Sequence, residues 1–572
     1  MISIKLKKPR YSAFCRVGEA MIEARTLIQE MTEGYAEYLR DESRSLGQAQ
    51  SISFPKSEEE VIAVVHALHA SLIPITVQGG RTGLAAGAVP AGGHILNVSR
   101  MNAITGLRQD ADGNFYVRVQ PGLALSSLRK MLESKKFVGA RFDAASRQAL
   151  RAFLQAPEQF FPTDPTETSA TIGGMVACNA SGARSYHYGP ARPYIEALRM
   201  VLSDGQTLAL KRGGAKAQGR CLTLQTEQGQ ALPVPLPAYV LPHTKNASGY
   251  FVQDDMEAID LLIGSDGSLG GITEIELRLL PLPAVMWGVS CFLEREEQAI
   301  DLVISVREQI KGIASMEYFD VDALAVLRRQ KQQSSAFAQL PEVAEQFAAV
   351  VYFELHCESE EEAAARLFAI GDLLLAVGAN SENTWVARTA VDLDRLMFFR
   401  HAVPEAVNML IDARKKEHPG LTKLGTDMSV PNQHLRVVMR MYREMLAARG
   451  LQSAVWGHIG DNHLHVNILP RDDEDYRQGK ELYREWARCI TDLGGAVSAE
   501  HGVGKLKADF LAIMYGEENV AAMAAVKAAL DPLALFGAGN LFAPELVRQS
   551  VAKNDSTAAA LDGSTQDEEA GV

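Results

Sequence analysis

Three histidines stand within eight residues of one segment, Gly457-His-Ile-Gly-Asp-Asn-His-Leu-His-Val-Asn467. In an extended strand, side chains two residues apart share a face, so His463, His465 and Asn467 are expected to project together. His458 precedes the tight Gly-Asp-Asn turn and can fold back towards His465. The pattern therefore predicts a group of imidazoles on one face of the chain.

A carboxylate can join these imidazoles from the segment Ser498-Ala-Glu-His-Gly-Val-Gly504, where glycines give Glu500 and His501 backbone freedom. Two or three imidazoles with one carboxylate suit Zn²⁺, Fe²⁺, Co²⁺ or Mn²⁺. A lone buried histidine more often bonds to a backbone carbonyl, but three so close together favour a functional site. A metal-dependent hydrolase is one interpretation, although no HExxH or comparable catalytic spacing is present.

A glycine-rich loop is the second feature that could do chemistry. Gln78-Gly-Gly-Arg-Thr-Gly-Leu-Ala-Ala-Gly-Ala-Val-Pro90 follows an expected strand. Glycine permits positive φ and lets backbone N–H groups approach an anion closely, so a dinucleotide pyrophosphate is the expected ligand. The loop matches neither the Rossmann GxGxxG nor the Walker GxxxxGK(S/T) pattern, and an ordinary turn is the alternative.

Alternating short strands and helices must position these residues. Ser57 begins a helix as an N-cap, with acidic residues in the first turn. The segment 211–242, rich in Gly, Gln and Pro, is expected to be a surface insertion, and Leu280-Pro-Leu-Pro marks a domain boundary. Expected strands are Ile73–Val77, His94–Asn97, Phe115–Val119, Ala197–Leu202, Gly288–Phe292, Val350–Leu355 and Gly457–Leu469, and expected helices are Ala20–Arg40, Val61–Ala70, Glu297–Ile310 and Glu360–Val377.

Composition excludes several classes. With 572 residues, more than one core is expected. A net charge of −13 without a long basic run argues against nucleic-acid binding. The six cysteines form no CxxC pair, so clustered iron–sulfur or structural zinc sites are not expected. No targeting peptide or long apolar stretch is found, which favours the cytoplasm and leaves a peripheral contact with the inner face of a membrane open.

Two further stretches give the glycine-rich loop its context. Phe161-Pro-Thr-Asp-Pro-Thr-Glu-Thr-Ser-Ala-Thr-Ile-Gly-Gly174 leads into Asn179-Ala-Ser-Gly182, and Leu262-Ile-Gly-Ser-Asp-Gly-Ser-Leu-Gly-Gly-Ile-Thr-Glu274 follows later. In this order the three stretches resemble the vanillyl-alcohol-oxidase-type (PCMH-type) FAD domain. The resemblance implies an α+β protein with an N-terminal helical segment at 1–48, the FAD-binding domain at 49–283, an FAD-linked-oxidase substrate and metal domain at 284–545 and a disordered tail at 546–572.

The same resemblance implies a set of FAD contacts. FAD is expected to be held non-covalently, because no histidine is a good candidate for a covalent link. The chain departs from the usual pattern with Asp266, Ser268 and Ser181 in place of Glu, Thr and Gly. The implied contacts are Gly79, Gly80, Arg81, Thr82, Gly83 and Leu84 at the pyrophosphate, and Pro162, Thr163, Asp164, Thr168, Gly173, Gly174, Asn179, Ser181, Gly182, Ile272 and Asn540 elsewhere.

The histidine segments resemble the C-terminal domain of FAD-linked D-lactate, D-2-hydroxyglutarate and glycolate dehydrogenases, which carry G-H-x-G-D-G-N-L-H-x-N and E-H-G-(I/V)-G. Carried over by position, the resemblance implies a divalent metal, expected to be zinc, and one catalytic base. Asn462-His463 replaces the usual Gly-Asn, which places an extra imidazole near substrate. The implied roles are metal ligands His458, His465 and Glu500, base His501, and substrate contacts Asn467 and His463.

A third matching piece is Met397-Phe-Phe-Arg-His-Ala-Val-Pro-Glu405, in which Arg400 takes the position that binds the substrate carboxylate. A guanidinium clamps a carboxylate through two hydrogen bonds, although a surface arginine is the alternative. The substrate-binding lysine of the 2-hydroxyglutarate enzymes falls on Gly425, and Lys423 lies two residues away. This departure argues against a dicarboxylate substrate.

The expected function is FAD-dependent oxidation of a D-2-hydroxy acid, with D-lactate first and D-2-hydroxyglutarate or glycolate as alternatives. Without a cysteine cluster, electrons must pass to an external quinone, cytochrome, electron-transfer flavoprotein or iron–sulfur subunit. A metal-free FAD oxidase or a flavin electron-transfer subunit would also fit the motifs. A homodimer is compatible with the sequence.

Overall fold

The structure is a computed structural model that describes residues 26–140, 142–337, 340 and 342–553. Within these residues, no helix is both long and apolar enough to cross a membrane. The helices are Glu58–Ala70, Leu125–Ser134, Ala144–Gln155, Ile172–Ala177, Ser185–Tyr188, Ala258–Leu262, Glu296–Gln309, Val321–Gln333, Glu360–Ala376, Ala390–Arg414, Leu435–Arg449, Asp473–Asp492, Ala508–Tyr515, Glu517–Leu530 and residues 544–553.

The first half of the chain is built on two sheets. A four-stranded sheet has the order Gln29–Glu30, Ser51–Ser53, His94–Asn97, Ile75–Gln78, and its last three strands pair in parallel. A five-stranded antiparallel sheet has the order Ile104–Gln109, Phe115–Val119, Gly271–Arg278, Ile195–Val201, Thr207–Lys211. Buried apolar residues from the C-terminal helices, including Met523 and Val547, pack into the core of this half. The first half of the chain and the C-terminal helices therefore share one core.

One large sheet organises the second half. Its strands lie in the order Thr384–Ala387, Val285–Leu293, Ala349–Cys357, Ile313–Asp320, Ser453–His458, His463–Ile468, Leu424–Gly425, and Met428–Ser429 also pairs with His463–Ile468. Helices such as Glu296–Gln309 and Leu435–Arg449 pack their apolar side chains into a second core. This sheet carries the histidines.

Most expected elements are present with shifted ends. His94–Asn97 and Phe115–Val119 are confirmed to the residue. The first long helix begins at Glu58 rather than Val61, because Ser57 accepts a hydrogen bond from the Glu60 N–H and so caps the helix. The expected insertion at 211–242 contains a small hairpin, Cys221–Gln225 with Ala231–Pro235. The expected strand Gly457–Leu469 is two strands with a tight turn between them.

Two expectations are wrong for the residues described. The part of Ala20–Arg40 that lies in the described chain is not one α-helix but a short strand and a 3-10 helix, Glu33–Leu39. Its backbone N–H groups donate to neighbouring segments of the chain, as Met31 N does to the Gln50 carbonyl oxygen at 3.0 Å. Hydrogen bonds to the sheet thus replace the hydrogen bonds of an α-helix. The expected tail is helical at 546–553, because Val547 packs into the core. Residues 1–25 and 554–572 lie outside the described residues.

Candidate active site

The glycine-rich loop runs from the end of the strand Ile75–Gln78 along the wall of a cavity of about 860 Å³. A Cβ on Gly79 would come within 2.1 Å of Thr171 Oγ1, and one on Gly80 within 2.8 Å of the Ser169 carbonyl oxygen. Glycine is required for the loop to pack this closely. The wall is therefore backbone, the surface that a pyrophosphate would need.

The residues expected to contact FAD fall into two groups. Those in the cavity wall are Gly79, Gly80, Arg81, Thr82, Gly83, Leu84, Gly173, Gly174, Ser181 and Ile272. Those that do not line it are Pro162, Thr163, Asp164, Thr168, Asn179, Gly182 and Asn540.

The second group supports the wall. A Cβ on Gly182 would come within 1.7 Å of the Asp164 carbonyl oxygen, so these two segments are in tight contact. The Asn540 amide donates to the carbonyl oxygens of Gly87 at 3.0 Å and Asp266 at 2.8 Å. Asn540 thus fastens the glycine-rich loop from the C-terminal end of the chain.

The three histidines lie on one face of the hairpin formed by the two strands Ser453–His458 and His463–Ile468, as their spacing predicts. His458 pairs with His463 across the strands. The ring centroids of His463 and His465 are 4.6 Å apart, and those of His458 and His465 are 5.6 Å apart. One nitrogen from each ring lies within 4.8 Å of the other two. We call these three residues the histidine cluster.

Hydrogen bonds leave nitrogens of the cluster free to bind a cation. His465 Nδ1 lies 3.1 Å from the Thr426 carbonyl oxygen, so this ring keeps its Nε2 for a cation. His458 Nδ1 lies 2.6 Å from Glu317, and its Nε2 faces Glu500 Oε2 at 3.3 Å. Neither nitrogen of His463 has a partner in hydrogen-bonding geometry, although its Nε2 lies 2.9 Å from Asp427. With one ring nitrogen facing the Asp427 carboxylate, the other could bind a metal, which is the usual arrangement of a histidine ligand.

Burial sets the protonation of the cluster. It lowers the pKa of His463 to about 4, aided by the charge of Lys245, and it lowers the pKa of His465 well below the ordinary value, aided by neighbouring imidazoles. Burial also opposes the charge on His458, but the carboxylate of Glu317 outweighs it and raises the pKa to about 9. His463 and His465 are therefore neutral at pH 7, as metal binding requires, whereas His458 carries a proton that it would release when a metal binds.

Glu500 lies against the histidine cluster, but the ammonium of Lys245 already balances its negative charge. Its Oε2 lies 2.5 Å from Lys245 Nζ, 3.3 Å from His458 Nε2 and 3.6 Å from His463 Nδ1. Burial opposes the carboxylate charge, but Lys245 and His458 hold the pKa of Glu500 well below its usual range. The expected grouping of Glu500 with the histidines is thus present, with an ammonium inserted beside it.

His501 stacks on His465 with ring centroids 5.4 Å apart and also lines the cavity. Burial lowers the pKa of His501, against the opposing charge of Asp427, so the ring is a neutral proton acceptor. Asp427 is fully buried and accepts hydrogen bonds from the backbone N–H groups of Glu500 at 3.1 Å and His501 at 3.0 Å. It also binds Lys507 Nζ at 2.6 Å. Asp427 therefore fixes the loop that carries Glu500 and His501.

Arg400 lies beside the cluster rather than in the cavity wall. Its Nε is 3.2 Å from Glu317 Oε2, and both side chains are buried. Burial opposes the charge of Glu317, but Arg400 and His458 lower its pKa to about 2. Glu317 thus contacts both Arg400, the expected carboxylate-binding residue, and His458, an expected metal ligand. Asn467 does line the cavity.

Sequence reasoning missed Lys245, Glu317 and Asp427. Glu317 could have been noticed as a carboxylate in the middle of a fully buried strand, Ile313–Asp320. Asp427 lies two residues after Gly425, a position that the resemblance covers, but no role was expected for its carboxylate. Lys245 had no signal, because it lies far from the histidines in the chain.

The residues present fit both expected groups. For FAD, glycine backbone lines a cavity that continues to His465 and His501. For a divalent metal, three imidazole nitrogens converge and a carboxylate orients His458 from behind.

Two family models match the chain. The model described as "FAD linked oxidases, C-terminal domain" matches residues 282–541, and the "FAD binding domain" model matches residues 49–148 and 143–211. Both halves of the expected architecture are therefore found in the expected order.

Curated relatives match over most of their length. D-lactate dehydrogenase of Anaerostipes hadrus is 27% identical over 85% of this chain and 88% of its own. Glycolate oxidase subunit GlcD of Bacillus subtilis is 25% identical over 87% and 90%. D-2-hydroxyglutarate dehydrogenase of Xanthomonas citri is 27% identical over 86% and 89%.

Solved structures share the fold. 4-ethylphenol oxidase from Gulosibacter chungangensis has a TM-score of 0.61 at 16% identity, covering 93% of this chain and 98% of its own. p-Cresol methylhydroxylase has a TM-score of 0.61 at 15% identity with the same coverage. The PCMH-type fold expected from the sequence is thereby confirmed.

Proposed function

Because the chain belongs to the FAD-linked oxidase family, we propose that it is a dehydrogenase that oxidises a D-2-hydroxy acid to the 2-oxo acid. The observation that carries the proposal is the shared cavity, since the loop at 79–84 and the ring of His501 line the same volume. Relatives named D-lactate and D-2-hydroxyglutarate dehydrogenase support this substrate class. D-lactate, oxidised to pyruvate, is the reference substrate.

His501 is the proposed general base. Its neutral ring faces the cavity, and Asp427 holds the backbone of its loop. It takes the proton of the substrate hydroxyl, while the hydrogen on the substrate Cα leaves as hydride, so that the alcohol becomes a carbonyl. FAD, when bound, supplies the acceptor for that hydride.

Arg400 and Asn467 are the proposed substrate-orienting residues. Arg400 binds the carboxylate next to the reacting carbon, and its Nε contacts Glu317 at 3.2 Å. Asn467 offers an amide from the hairpin face. Holding the acid at both groups limits the directions in which the Cα hydrogen can point.

A divalent metal, zinc first, is the proposed second cofactor. His458 and His465 are two of the proposed metal ligands, and either His463 or Glu500 is the third. The geometry favours His463, since Lys245 already neutralises Glu500. The metal, when bound, supplies a Lewis acid that lowers the pKa of the substrate hydroxyl.

Electrons must leave the reduced protein for an external acceptor, since the five free cysteines in the described part of the chain form no cluster. A quinone, a cytochrome, an electron-transfer flavoprotein or an iron–sulfur subunit would serve. Cytoplasmic location, a peripheral membrane contact and a homodimer stay predictions from the sequence.

Anaerobic titration of the purified flavoprotein tests the proposal. D-lactate, L-lactate, glycolate, D-2-hydroxyglutarate and D-malate are added in turn, and bleaching of the flavin absorbance is followed. D-lactate is expected to reduce the flavin and L-lactate is not. Reduction by L-acids alone, or by none of these acids, would overturn the proposal.

A further inference from the structure

The loop that carries His501 is held by two carboxylates, one from each half of the chain. Asp427, from the large sheet, accepts hydrogen bonds from backbone N–H groups up to and including that of His501. Asp266 accepts two more on the other side of His501, from Val503 N at 2.8 Å and from Gly504 N at 2.9 Å. The backbone at His501 is therefore held in both chain directions.

Asp266 comes from the half of the protein that carries the glycine-rich loop. It lies in the turn between the helix Ala258–Leu262 and the strand Gly271–Arg278, which is the middle strand of the five-stranded sheet. Its backbone N–H donates to the Ala177 carbonyl oxygen at 2.7 Å, and its carbonyl oxygen accepts from the Asn540 amide at 2.8 Å. Asp266 also lines the cavity. A residue fixed in the first half thus contacts the loop of His501 directly.

The loop needs contacts of this kind because two glycines make its backbone permissive. Gly502 and Gly504 have φ angles of +70° and +49°. A Cβ on Gly502 would come within 2.4 Å of Asp266 Oδ1, so the backbone packs directly against the carboxylate. Since the glycines themselves do not hold one conformation, the place of the His501 ring depends on the groups that bind the loop.

Asp266 is mainly ionised at pH 7 and is therefore a strong acceptor. Burial raises the pKa of its carboxyl to about 6, and the N–H groups of Gly504 and Val503 oppose that rise. Hydrogen bonds to an ionised carboxylate are stronger than those between neutral groups. The contact with the loop is thus a charge-assisted one.

We propose that Asp266 is a positioning residue for His501, which holds the loop so that the imidazole reaches the substrate hydroxyl. Through Asp266, the FAD-binding half of the protein would also set the place of the base. This inference rests on the proposed function and deepens it. A misplacement of about 1 Å in a reacting group can cost about a hundredfold in rate, so loss of this contact should slow proton transfer while cofactor and substrate still bind.

Two variants separate the carboxylate from the turn that carries it. Asp266→Gly removes both acceptor oxygens and suits the turn, because Asp266 has a φ of +51°, which glycine adopts readily. Asp266→Asn keeps the shape and one acceptor oxygen without the charge, and asparagine also tolerates this φ. Asp110→Gly is the matched control, because Asp110 accepts backbone N–H bonds from Asp112 and Asn114 in a turn outside the cavity.

Anaerobic stopped-flow reduction of the bound flavin by D-lactate tests the inference on the holoenzyme. At saturating D-lactate, Asp266→Gly should slow reduction about tenfold to a hundredfold and Asp266→Asn should slow it by less. Asp110→Gly should leave the rate unchanged. Pyruvate affinity, measured by calorimetry, and the flavin reduction potential should stay at their wild-type values in both Asp266 variants.

A double variant shows whether Asp266 acts through His501. In a protein that already carries His501→Ala, Asp266→Gly should slow reduction by less than about threefold further, because residues that act together are not additive. If Asp266→Gly does not fold, Asp266→Asn serves in the same comparison, with a smaller effect expected in the protein that keeps His501 and none in the one that lacks it.

Three results would overturn the inference. Equal slowing by Asp266→Gly with and without His501 would show that Asp266 acts independently of the base. A shifted flavin reduction potential or weakened pyruvate binding that accompanies the slowing would place Asp266 at the cofactor or the substrate. Wild-type reduction by Asp266→Gly would show that the loop does not need this contact. Failure of the proposed function looks different, since no D-2-hydroxy acid would then reduce the wild-type flavin.

Discussion

Around Gly79, Gly80 and Gly173 the cavity wall is glycine backbone, whereas around His465 and His501 it is titratable side chain. The glycine wall would hold FAD through its shape and its backbone N–H groups, whose protonation does not change with pH. The histidine wall depends on charges that balance one another, such as Lys245 against Glu500. The glycine wall therefore suits the binding of a cofactor, and the histidine wall suits proton transfer and the choice of substrate.

Removal of the base should have the largest effect. His501→Ala is expected to slow flavin reduction by D-lactate about 10²- to 10⁴-fold, because a positioned general base contributes about that much. Stopped-flow absorbance at saturating D-lactate measures the rate. His243→Ala, an exposed histidine outside this cavity, is the control and should leave it unchanged. Near-normal reduction in His501→Ala would show that His501 is not the general base.

The metal donors come next in size. His463→Asn should lower zinc affinity by at least about tenfold, since metal sites lose that much even when an outer partner is removed. Glu500→Gln should lower it less, because Lys245 already binds that carboxylate. Metal content after dialysis against a competing chelator measures both. The reverse order would assign the third donor to Glu500, as the family pattern implies.

The glycine wall should respond through FAD affinity. A Cβ on Gly173 would come within 2.5 Å of Pro121, so Gly173→Ala must displace backbone and is expected to weaken FAD binding about tenfold. Gly371→Ala is the matched control, because nothing lies near its Cβ position and alanine favours the helix. Fluorescence of released flavin reports the difference. Equal FAD affinity in the two variants would contradict the packing argument.

The glycine wall was largely predictable from the sequence because its residues are contiguous in three short stretches. The imidazole grouping was also predictable, since strand parity alone places His463 and His465 together. The charges that tune it were not, because Lys245, Glu317 and Asp427 arrive from separate segments and only tertiary packing brings them to the histidines.

Local composition misled at the two chain ends. The charged segment before Arg40 was expected to be helical, but hydrogen bonds to Gln50 and its neighbours hold its described part against a sheet. The polar tail was expected to be disordered from 546, but Val547 finds a place in the core. In both cases tertiary contacts outweighed local preference.

The central claim is that the two walls act on one substrate in one cavity. Anaerobic stopped-flow reduction of the bound flavin by D-lactate, with protium or deuterium on Cα, tests it most directly. We expect reduction to slow on deuteration, because the Cα hydrogen leaves as hydride to the flavin. Reduction at the same rate with either isotope, in conditions where binding and product release do not limit it, would contradict hydride transfer from Cα to the flavin.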